Sequence, residues 1–378
     1  MNKSVLFVTK KMPIENGRSI YAENIYESLV VDGVDREICL LPFKIFSTGN
    51  FFLLRILSAL LLIPSMWIPS LSVRKQFLTT IREKTVDKQY SHIILDHMQL
   101  WWLIIPLKRR LPESRIVLVS HNLEFKAKWS YLKYGNIFLK IGALVEVIPI
   151  FIWEVVCAFI SDAVISINSQ EQKFYSIIKK TKASFLIYPF VKTGSEDSLN
   201  RNVGNNLVLV GSYRYKAKEQ NALWLVNTVM PEIHKYNSSI TLNLIGRGIT
   251  GEMKQSCMGK AYINIVGEVE DLEPWYKSAF AVIIPEKMGG GFKLKTLEAV
   301  RYRRPILIHK NAAEGTVFQH NTDWLVFETA EELVVSLTML YNNPKRRKQL
   351  VHHSFSQLCK YHTVGAARSN MKQVLKLA

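Results

Sequence analysis

Short apolar runs separated by helical stretches recur along the whole chain, and this alternation limits the possible folds more than any other feature. The first run covers residues 4–9 and the second residues 36–41, with a glycine-containing loop and a predicted helix between them. Continuous apolar runs of about four to eight residues are typical of strands buried on both faces of a parallel sheet. Strand, loop, helix and strand in this order predict the start of a doubly wound sheet.

The same pattern begins again in the second half. Residues 189–206 are polar and hold several Asn, Ser and Gly, as expected of a linker, and a new apolar run starts at Leu207. With 378 residues the chain is long enough for two domains, since a domain usually has about 100–200 residues. We therefore predict an α/β protein with two Rossmann-like, doubly wound parallel-sheet domains that face each other across a cleft. The predicted parts are an N-terminal domain at residues 1–190, a linker at 191–206, a C-terminal domain at 207–350 and a final helix at 351–378 that packs back on the N-terminal domain.

A basic excess is spread evenly along the chain. Lys and Arg number 49 against 31 Asp and Glu, which gives a formal net charge of +18 at pH 7. Residues 1–190 hold 24 basic and 15 acidic residues, and residues 191–378 hold 25 and 16. Such a distribution suits anionic partners, and by itself it does not choose between nucleotides, phospholipid headgroups and nucleic acid.

Neither a metal centre nor a disulfide framework is expected. The four cysteines, Cys39, Cys157, Cys257 and Cys359, form no CxxC pair and no cluster with metal-ligand spacing. Residues 1–13 lack the apolar core and small-residue cleavage site of a secretion signal, which predicts a cytoplasmic protein.

Two long apolar stretches raise the question of membrane contact. Residues 56–73 are uncharged but contain two prolines, and residues 141–161 carry Glu146 and Glu154. A charge at mid-bilayer costs at least ~2.5 kcal/mol, so the two glutamates disfavour a spanning helix. Two interpretations stay open: buried helices of a large domain, or an exposed amphipathic surface that touches a bilayer.

A glycine-rich segment provides the sharpest local signal. Gly289, Gly290 and Gly291 follow an apolar run and precede a predicted helix at residues 294–301. Adjacent glycines let backbone N–H groups approach a ligand, and the helix start adds unpaired N–H groups, so together they predict a phosphate site. Lys293 and Lys295 would add positive charge, and Glu298 could accept hydrogen bonds from ribose hydroxyls. The alternative is a glycine turn with a solvated helix start.

Two further candidates follow strand ends. Arg214, Lys216 and Lys218 come shortly after Gly211, where the carboxyl end of a parallel strand faces the ligand crevice, so they could clamp a diphosphate. His121 follows the apolar run at residues 116–119, and an imidazole there can orient a hydroxyl or accept its proton. The alternatives are a solvated charged loop and a hydrogen-bonded structural histidine.

Several blocks in family order carry a resemblance. They read LVGSYRYKAKEQNALWLVNTVMPEI, LNLIGRGIT and INIVGEVEDLEPWYKSAFAVIIPEKMGGGFKLKTLEAVRYRRPIL. These blocks, strongest over residues 207–313, resemble the group 1, family 4-like glycosyltransferases of the two-Rossmann-domain (GT-B) type. The resemblance implies a nucleotide-diphosphate sugar bound by the C-terminal domain, an acceptor bound by the N-terminal domain, and no cofactor beyond the donor.

The resemblance also implies roles for individual residues. The backbone of Gly289–Phe292 would contact the donor, with Gly211 beside it and Glu298 on the ribose. Gly17 would face the diphosphate across the cleft, and His121 would lie near the transferred sugar. The implied catalytic residues are His121, Arg214 and Lys218, with Lys216 as the other candidate for holding the diphosphate.

One departure from the family pattern concerns the first glutamate of its Glu-x7-Glu motif. Gly290 stands in that position, and Glu286 lies four residues too early. The resemblance still favours transfer with retention of the anomeric configuration, and the basic residues together with the lack of an Asp-x-Asp motif favour a metal-independent reaction.

The acceptor is predicted from apolar and basic surfaces. Residues 51–71, Trp101 and Trp102, together with the basic net charge, favour a lipid-linked or glycan acceptor in surface polysaccharide or glycolipid synthesis, with peripheral contact to an anionic membrane surface. The main alternative is a non-catalytic nucleotide-sugar-binding or partner protein on a degenerate transferase fold. A nucleic-acid partner is not expected, because it would leave the glycine segment and Glu298 without a role.

Overall fold

The protein is described here by a computed structural model that covers residues 3–10, 17–41, 71–179, 183–192 and 204–377. The chain forms two compact units. The first comprises Met1–Phe190, Gly290–Phe292 and Val364–Ala378, and the second comprises Val191–Gly289 and Lys293–Thr363.

The first unit contains a six-stranded sheet in which every pair is parallel. Its strands are β1 Lys3–Lys10, β2 Val34–Leu41, β3 His92–Asp96, β4 Arg115–Ser120, β5 Ala163–Ser166 and β6 Ser184–Leu186. Their order is β2-β1-β3-β4-β5-β6. The connection from β1 to β2 therefore runs to one side of β1, and the following connection brings β3 to its other side. The gap between β1 and β3 is the switch point, where open α/β sheets bind ligands.

Helices cover both faces of this sheet, which explains why its central strands β1, β3, β4 and β5 have apolar, buried middles. Alternate residues of β1 and β4 belong to two separate cores, with Leu6 and Leu118 in one and Val5 and Val117 in the other. The helices are α1 Gly17–Ser28, α2 Leu71–Lys84, a 3-10 turn at Met98–Leu103, α3 Ile104–Arg110, α4 Glu124–Tyr134, α5 Ile137–Ile160 and α6 Ser169–Ile178.

The second unit repeats the architecture with another six-stranded parallel sheet. Its strands are β7 Asn206–Val210, β8 Thr241–Ile245, β9 Ile263–Gly267, β10 Ala281–Ile284, β11 Ile306–His309 and β12 Leu325–Phe327. Their order is β12-β11-β10-β7-β8-β9, so the switch point lies between β7 and β10. The two sheets confirm the predicted α/β class with two Rossmann-like domains.

The helices of the second unit include one long segment interrupted by a π turn. They are α7 Lys216–Trp224, the π turn Leu225–Val229, α8 Met230–Tyr236, α9 Gly251–Cys257, α10 Glu273–Ser278, α11 Leu294–Arg301, α12 Lys310–Ala313, α13 Ala330–Asn342 and α14 Pro344–Tyr361.

The last helix, α15 Val364–Val374, packs in the first unit. Ala367, Met371 and Val374 are buried in the core that also holds Val5 and Tyr21. Residues 351–378, predicted as one helix, thus contain the end of α14 in the second unit and all of α15 in the first. Of the predicted linker, residues 193–203 lie outside the described residues, as do residues 51–70 of the predicted lipid-contacting stretch.

Candidate functional site

The switch point of the second unit holds a cluster of charged side chains. Gly211 directly follows β7, and Glu286 lies two residues beyond β10. Lys295, in the first turn of α11, joins the two strand ends because its ammonium donates to the carbonyl oxygen of Val210 at 3.0 Å and forms an ion pair with Glu286. The predicted Lys295 is therefore at the strand ends, and the structure adds Glu286 beside it.

Glu286 is a buried carboxylate among lysines. Burial raises its pKa, but Lys295, Lys293 and Lys218 together outweigh burial and hold the pKa below its ordinary value. Oε2 of Glu286 accepts no hydrogen bond from the described part of the chain. Three ammonium groups around one carboxylate leave a local excess of positive charge, which favours an anionic ligand.

Lys218, in the first turn of α7, contributes to this excess. Desolvation is the main cause that lowers its pKa, and the like charge of Lys295 lowers it further, while Glu286 opposes both. The residue is nonetheless open to solvent, so an incoming ligand can reach it. An anion bound here would relieve the repulsion between the two ammonium groups and raise the pKa of Lys218.

Lys216 faces other partners. Its ammonium lies 2.7 Å from a carboxylate oxygen of Glu219 and 3.1 Å from one of Glu252, and these hydrogen bonds raise its pKa. Of the two lysines considered for the diphosphate, Lys218 is therefore the one that the structure places with the cluster around Glu286.

Two glycines, Gly246 and Gly248, allow the loop after β8 to approach the loop that carries Arg214. A Cβ added to Gly248 (φ +78°) would lie 2.4 Å from Cγ of Arg214, and one added to Gly246 (φ +127°) would lie 1.8 Å from the oxygen of Gly211. The Tyr213 amide also donates to the carbonyl oxygen of Arg247 at 2.9 Å. The loop after β8 thus packs closely on the loop that carries Arg214. A Gly-x-Gly directly after an apolar run is the sequence signal for this contact.

The glycine segment has the backbone that only glycine adopts easily. Gly289 and Gly291 have φ angles of +95° and +72°. Gly290–Phe292 groups with the first unit, whereas Gly289 and Lys293 belong to the second. No side chain in the described part of the chain caps the start of α11, so its first amides remain suited to an anion.

Glu298, further along α11, is half-buried and held by a tyrosine. The Tyr276 hydroxyl donates to Oε2 of Glu298 at 2.9 Å. Burial is the main cause that raises the pKa of Glu298, against the opposing effects of this hydrogen bond, Lys295 and Arg301. A desolvated carboxylate fixed by one neighbour suits the recognition of hydroxyl groups, because a second oxygen can accept from a ligand.

The switch point of the first unit holds a buried polar group around His121. Nε2 of His121 lies 2.6 Å from Oδ1 of Asp96, and the Thr9 hydroxyl donates to Oδ2 of the same carboxylate at 2.5 Å. The Tyr21 ring meets the His121 ring edge to face at 5.1 Å between centroids. Thr9, Asp96 and His121 stand at or just after the carboxyl ends of β1, β3 and β4, so neighbouring strands bring them together. Asp96 was not predicted from the sequence, although a lone acid at the end of an apolar run is a usable signal.

Gly17 is the first residue of α1 and therefore begins a helix, whereas the sequence pattern predicts a loop at this position. Within the described residues, no group of three or more His, Cys, Asp or Glu side chains is arranged to hold a metal ion.

Comparisons with known proteins agree with this arrangement. Residues 204–343 match the family model described as Glycosyl transferases group 1. A relative from Klebsiella pneumoniae, described as an uncharacterized 44.6 kDa protein in cps region, is 29% identical over 160 residues. The matched part is 40% of this chain and 41% of that protein, so it spans less than half of the relative's length.

Solved glycosyltransferases share the fold. Sucrose-phosphate synthase from Thermosynechococcus elongatus gives a TM-score of 0.72 at 14% identity, over 98% of each chain. Anabaena Alr3699/HepE, solved in complex with UDP and glucose, gives a TM-score of 0.69 at 10% identity, over 100% of each chain. At such low identity these likenesses show the fold alone. Residues 204–343 therefore match the group 1 glycosyltransferase family, and the two Rossmann-like domains have the GT-B fold.

Proposed function

We propose that the protein transfers a sugar from a nucleotide-diphosphate sugar to a glycan or lipid-linked acceptor. The observation that carries this proposal is the group of Lys218, Lys293 and Lys295 at the switch point of the group 1 domain, where an α/β sheet binds its ligand. The solved relative that binds UDP and glucose supports the donor class.

Cleavage of the donor builds negative charge on the departing diphosphate. Arg214 and Lys218 would stabilise that charge directly, with the amides of the glycine segment and of the start of α11. Preorganised hydrogen-bond donors of this kind lower the activation barrier because they need no rearrangement as the charge develops. Each lowers the barrier by about 3–4 kcal/mol. We propose a metal-independent reaction because these side chains can supply the neutralising charge.

Two carboxylates have different roles at the donor site: Glu298 would bind the donor, and Glu286 holds Lys295. Glu298 would accept hydrogen bonds from the ribose hydroxyls while Tyr276 fixes its other oxygen. Lys295 stays tied to Glu286 and Val210, so its charge adds to the field around the diphosphate without needing to leave its partners.

His121 would lie near the transferred sugar, oriented by Asp96. We propose a retaining reaction from the resemblance to group 1 transferases. The anomeric configuration of the product, read by the proton coupling constant at C1, tests this directly. An inverted product would contradict retention and would favour the His121–Asp96 pair as the base that activates the acceptor hydroxyl.

The acceptor and pathway are inferred from the relative and the charge. The K. pneumoniae relative in a cps region supports a role in surface polysaccharide or glycolipid synthesis. The net charge of +18 supports peripheral contact with an anionic membrane surface on the cytoplasmic side.

Thermal unfolding with UDP-, GDP-, ADP-, dTDP- and CMP-sugars tests donor binding. A donor at 100 times its Kd adds ~2.7 kcal/mol to the free energy of unfolding. We expect one nucleotide class to stabilise the protein, and Lys218→Gln and Glu298→Gln to reduce that stabilisation. Lys216→Gln is the matched control, because its ammonium pairs with Glu219 and Glu252, and we expect it to retain binding.

Two outcomes would contradict the transferase proposal. If no nucleotide sugar stabilises the protein, the proposed donor site does not bind a donor. Selective binding without turnover, on supply of membrane-derived acceptors, would favour the non-catalytic alternative, to which the replacement of the family's first glutamate by Gly290 already points.

A further inference from the structure

The helix α5 of the first unit has an unusual exposed face. It is 24 residues long, and it alone among the described helices is long and apolar enough to cross a membrane. Large apolar side chains nevertheless remain exposed along it at spacings of three and four residues from Ile137 to Phe151, and again at Phe159, beyond the half-buried Val155. They form an apolar stripe of Ile137, Ile141, Leu144, Ile148, Phe151 and Phe159.

This apolar stripe is long and open. At 1.5 Å per residue it extends for ~33 Å along one side of the helix. Leu144 is 66% exposed and Phe159 75%, while Phe138 beside the start of the stripe is 81% exposed. Single exposed apolar residues are ordinary on a protein surface, but a row of six on one side of a helix marks an interaction site.

The opposite face of α5 is fastened to α4. Glu154 accepts from the amides of Glu124 and Phe125 at 2.7 and 3.4 Å, and Glu146 forms an ion pair with Lys128. A spanning orientation would break these contacts and carry both carboxyl groups towards hydrocarbon, which costs several kcal/mol. The contacts therefore keep α5 lying on the fold with the apolar stripe facing outwards.

The exposed charged and aromatic side chains of α4 and α5 indicate what binds to the apolar stripe. The exposed charged residues of α4 and α5 are both lysines, Lys133 and Lys140, whereas Glu146 and Glu154 are buried and Glu124 is half-buried. Trp129 on α4 is 61% exposed. A helical hairpin that combines an apolar stripe with exposed lysines and an exposed tryptophan matches the boundary between acyl chains and anionic headgroups.

We propose that the α4–α5 hairpin docks the protein on an anionic lipid bilayer, with the apolar stripe in the acyl boundary and Lys133 and Lys140 at the headgroups. This surface deepens the proposed function by giving the membrane contact a location, and it would bring the first unit to a lipid-linked acceptor. Its test does not depend on sugar transfer.

Flotation with lipid vesicles tests the docking surface in the full chain. The probes are vesicles of phosphatidylcholine alone and of phosphatidylcholine with phosphatidylglycerol, each at low and high salt. We expect the wild type to float with the anionic vesicles and to be partly released by salt. The variant Leu144→Ser/Ile148→Ser/Phe159→Ser should reduce the partition coefficient by about tenfold or more.

Matched controls lie in the second unit. Met258→Ser/Val335→Ser removes two equally exposed apolar side chains and should leave flotation unchanged. Lys133→Gln/Lys140→Gln should weaken the preference for anionic vesicles, whereas Lys345→Gln/Lys348→Gln on α14 should not.

Three results would overturn the docking surface. They are a wild type that stays with the soluble fraction, a stripe variant that floats as well as the wild type, and a wild-type dimer in sedimentation analysis that the stripe variant converts to a monomer. Stabilisation by nucleotide sugars is measured on the same variants. Lost flotation with retained donor binding separates this surface from the donor site, and retained flotation with no donor binding contradicts only the proposed transfer.

Discussion

Nε2 of His121 lies 2.6 Å from Oδ1 of Asp96, with both side chains buried at the switch point of the first sheet. The Asp96 carboxylate also accepts from the Thr9 hydroxyl, so its position is fixed by two neighbours. A carboxylate on one imidazole nitrogen sets the tautomer and directs the other nitrogen, as in other histidine-dependent sites.

Asp96→Asn should therefore lower the rate of sugar transfer by about 100-fold, because a mispositioned or wrongly protonated imidazole loses its role towards the reacting sugar. Nucleotide-sugar affinity, measured by calorimetry, should stay within about twofold because the lysines proposed to hold the donor diphosphate lie in the second unit. Glu113→Gln, an exposed acid of the first unit, serves as the control. An unchanged transfer rate in Asp96→Asn would reduce His121 to a structural residue.

Glu286→Gln should destabilise the ligand-free protein and enlarge its response to nucleotide. The change removes the carboxylate that pairs with Lys295 and offsets Lys293 and Lys218, and breaking a buried ion pair on one side costs roughly 3 kcal/mol. A bound diphosphate would supply the missing negative charge, so the increase in Tm with nucleotide sugar should exceed that of the wild type.

The control for Glu286→Gln is Glu252→Gln, which removes an exposed partner of Lys216 and should change neither quantity appreciably. The pH dependence gives a second readout. The lowered pKa of Glu286 means that its contribution to stability is present above the ordinary carboxyl pKa and is lost as the pH falls through the folded-state pKa. Equal Tm responses to nucleotide in Glu286→Gln and the wild type would contradict the anion site.

Glu171 should make the first unit less stable as the pH rises. Burial raises the pKa of this carboxyl to about 8, against opposing hydrogen bonds from Ser120 and Asn168. The folded state therefore holds a proton that the unfolded state releases near the ordinary carboxyl pKa. The free energy of unfolding should fall between about pH 4.5 and pH 8, by at most about 1.4 kcal/mol per pH unit.

Glu171→Gln imitates the protonated carboxyl and can keep partners at Ser120 and Asn168. We expect this variant to unfold at higher denaturant concentration than the wild type at pH 8 and to flatten the pH dependence. Chemical denaturation at several pH values measures both. A pH slope identical to that of the wild type would show that Glu171 is ionised in the folded state.

The alternation of apolar runs and helices was sufficient to predict both sheets, because strands buried on two faces must be continuously apolar. It did not predict β12, since three residues, Leu325–Phe327, are too short to separate from a loop by pattern. Nor could it divide residues 351–378, because α14 and α15 are both amphipathic and only packing assigns α15 to the first unit.

For the site, sequence pattern found the residues at strand ends but not their pairing. Lys218 and His121 were predicted because basic and imidazole groups after apolar runs face the ligand side of a sheet, and Lys295 because it follows the glycine segment at a helix start. The choice of Lys218 over Lys216 depends on Glu219 and Glu252, and the importance of Glu286 depends on Lys295. Such contacts join separate elements, so local spacing carries no information about them. The open face of α5 likewise needed the structure, because the sequence pattern was compatible with burial or exposure.

Gly248→Ala should weaken donor binding through Arg214. An alanine at φ +78° is strained by about 1 kcal/mol, and its Cβ would overlap Cγ and the backbone nitrogen of Arg214. The loop after β7 must then move, which would withdraw the guanidinium from the position proposed for the diphosphate. We expect the nucleotide-sugar affinity to fall by about tenfold, since a charged hydrogen bond is worth about 1.5–3 kcal/mol.

Gly259→Ala provides a matched control for that prediction. Gly259 has a nearly equal φ of +72°, but a Cβ there meets no atom within 4 Å. Both alanine variants should therefore lose similar stability from backbone strain, while only Gly248→Ala should lose donor affinity. Calorimetric titration with the stabilising nucleotide sugar separates the two effects. Equal affinities in the two variants would mean that Arg214 does not hold the diphosphate, and the neutralising charge would then have to come from Lys218 and its neighbours alone.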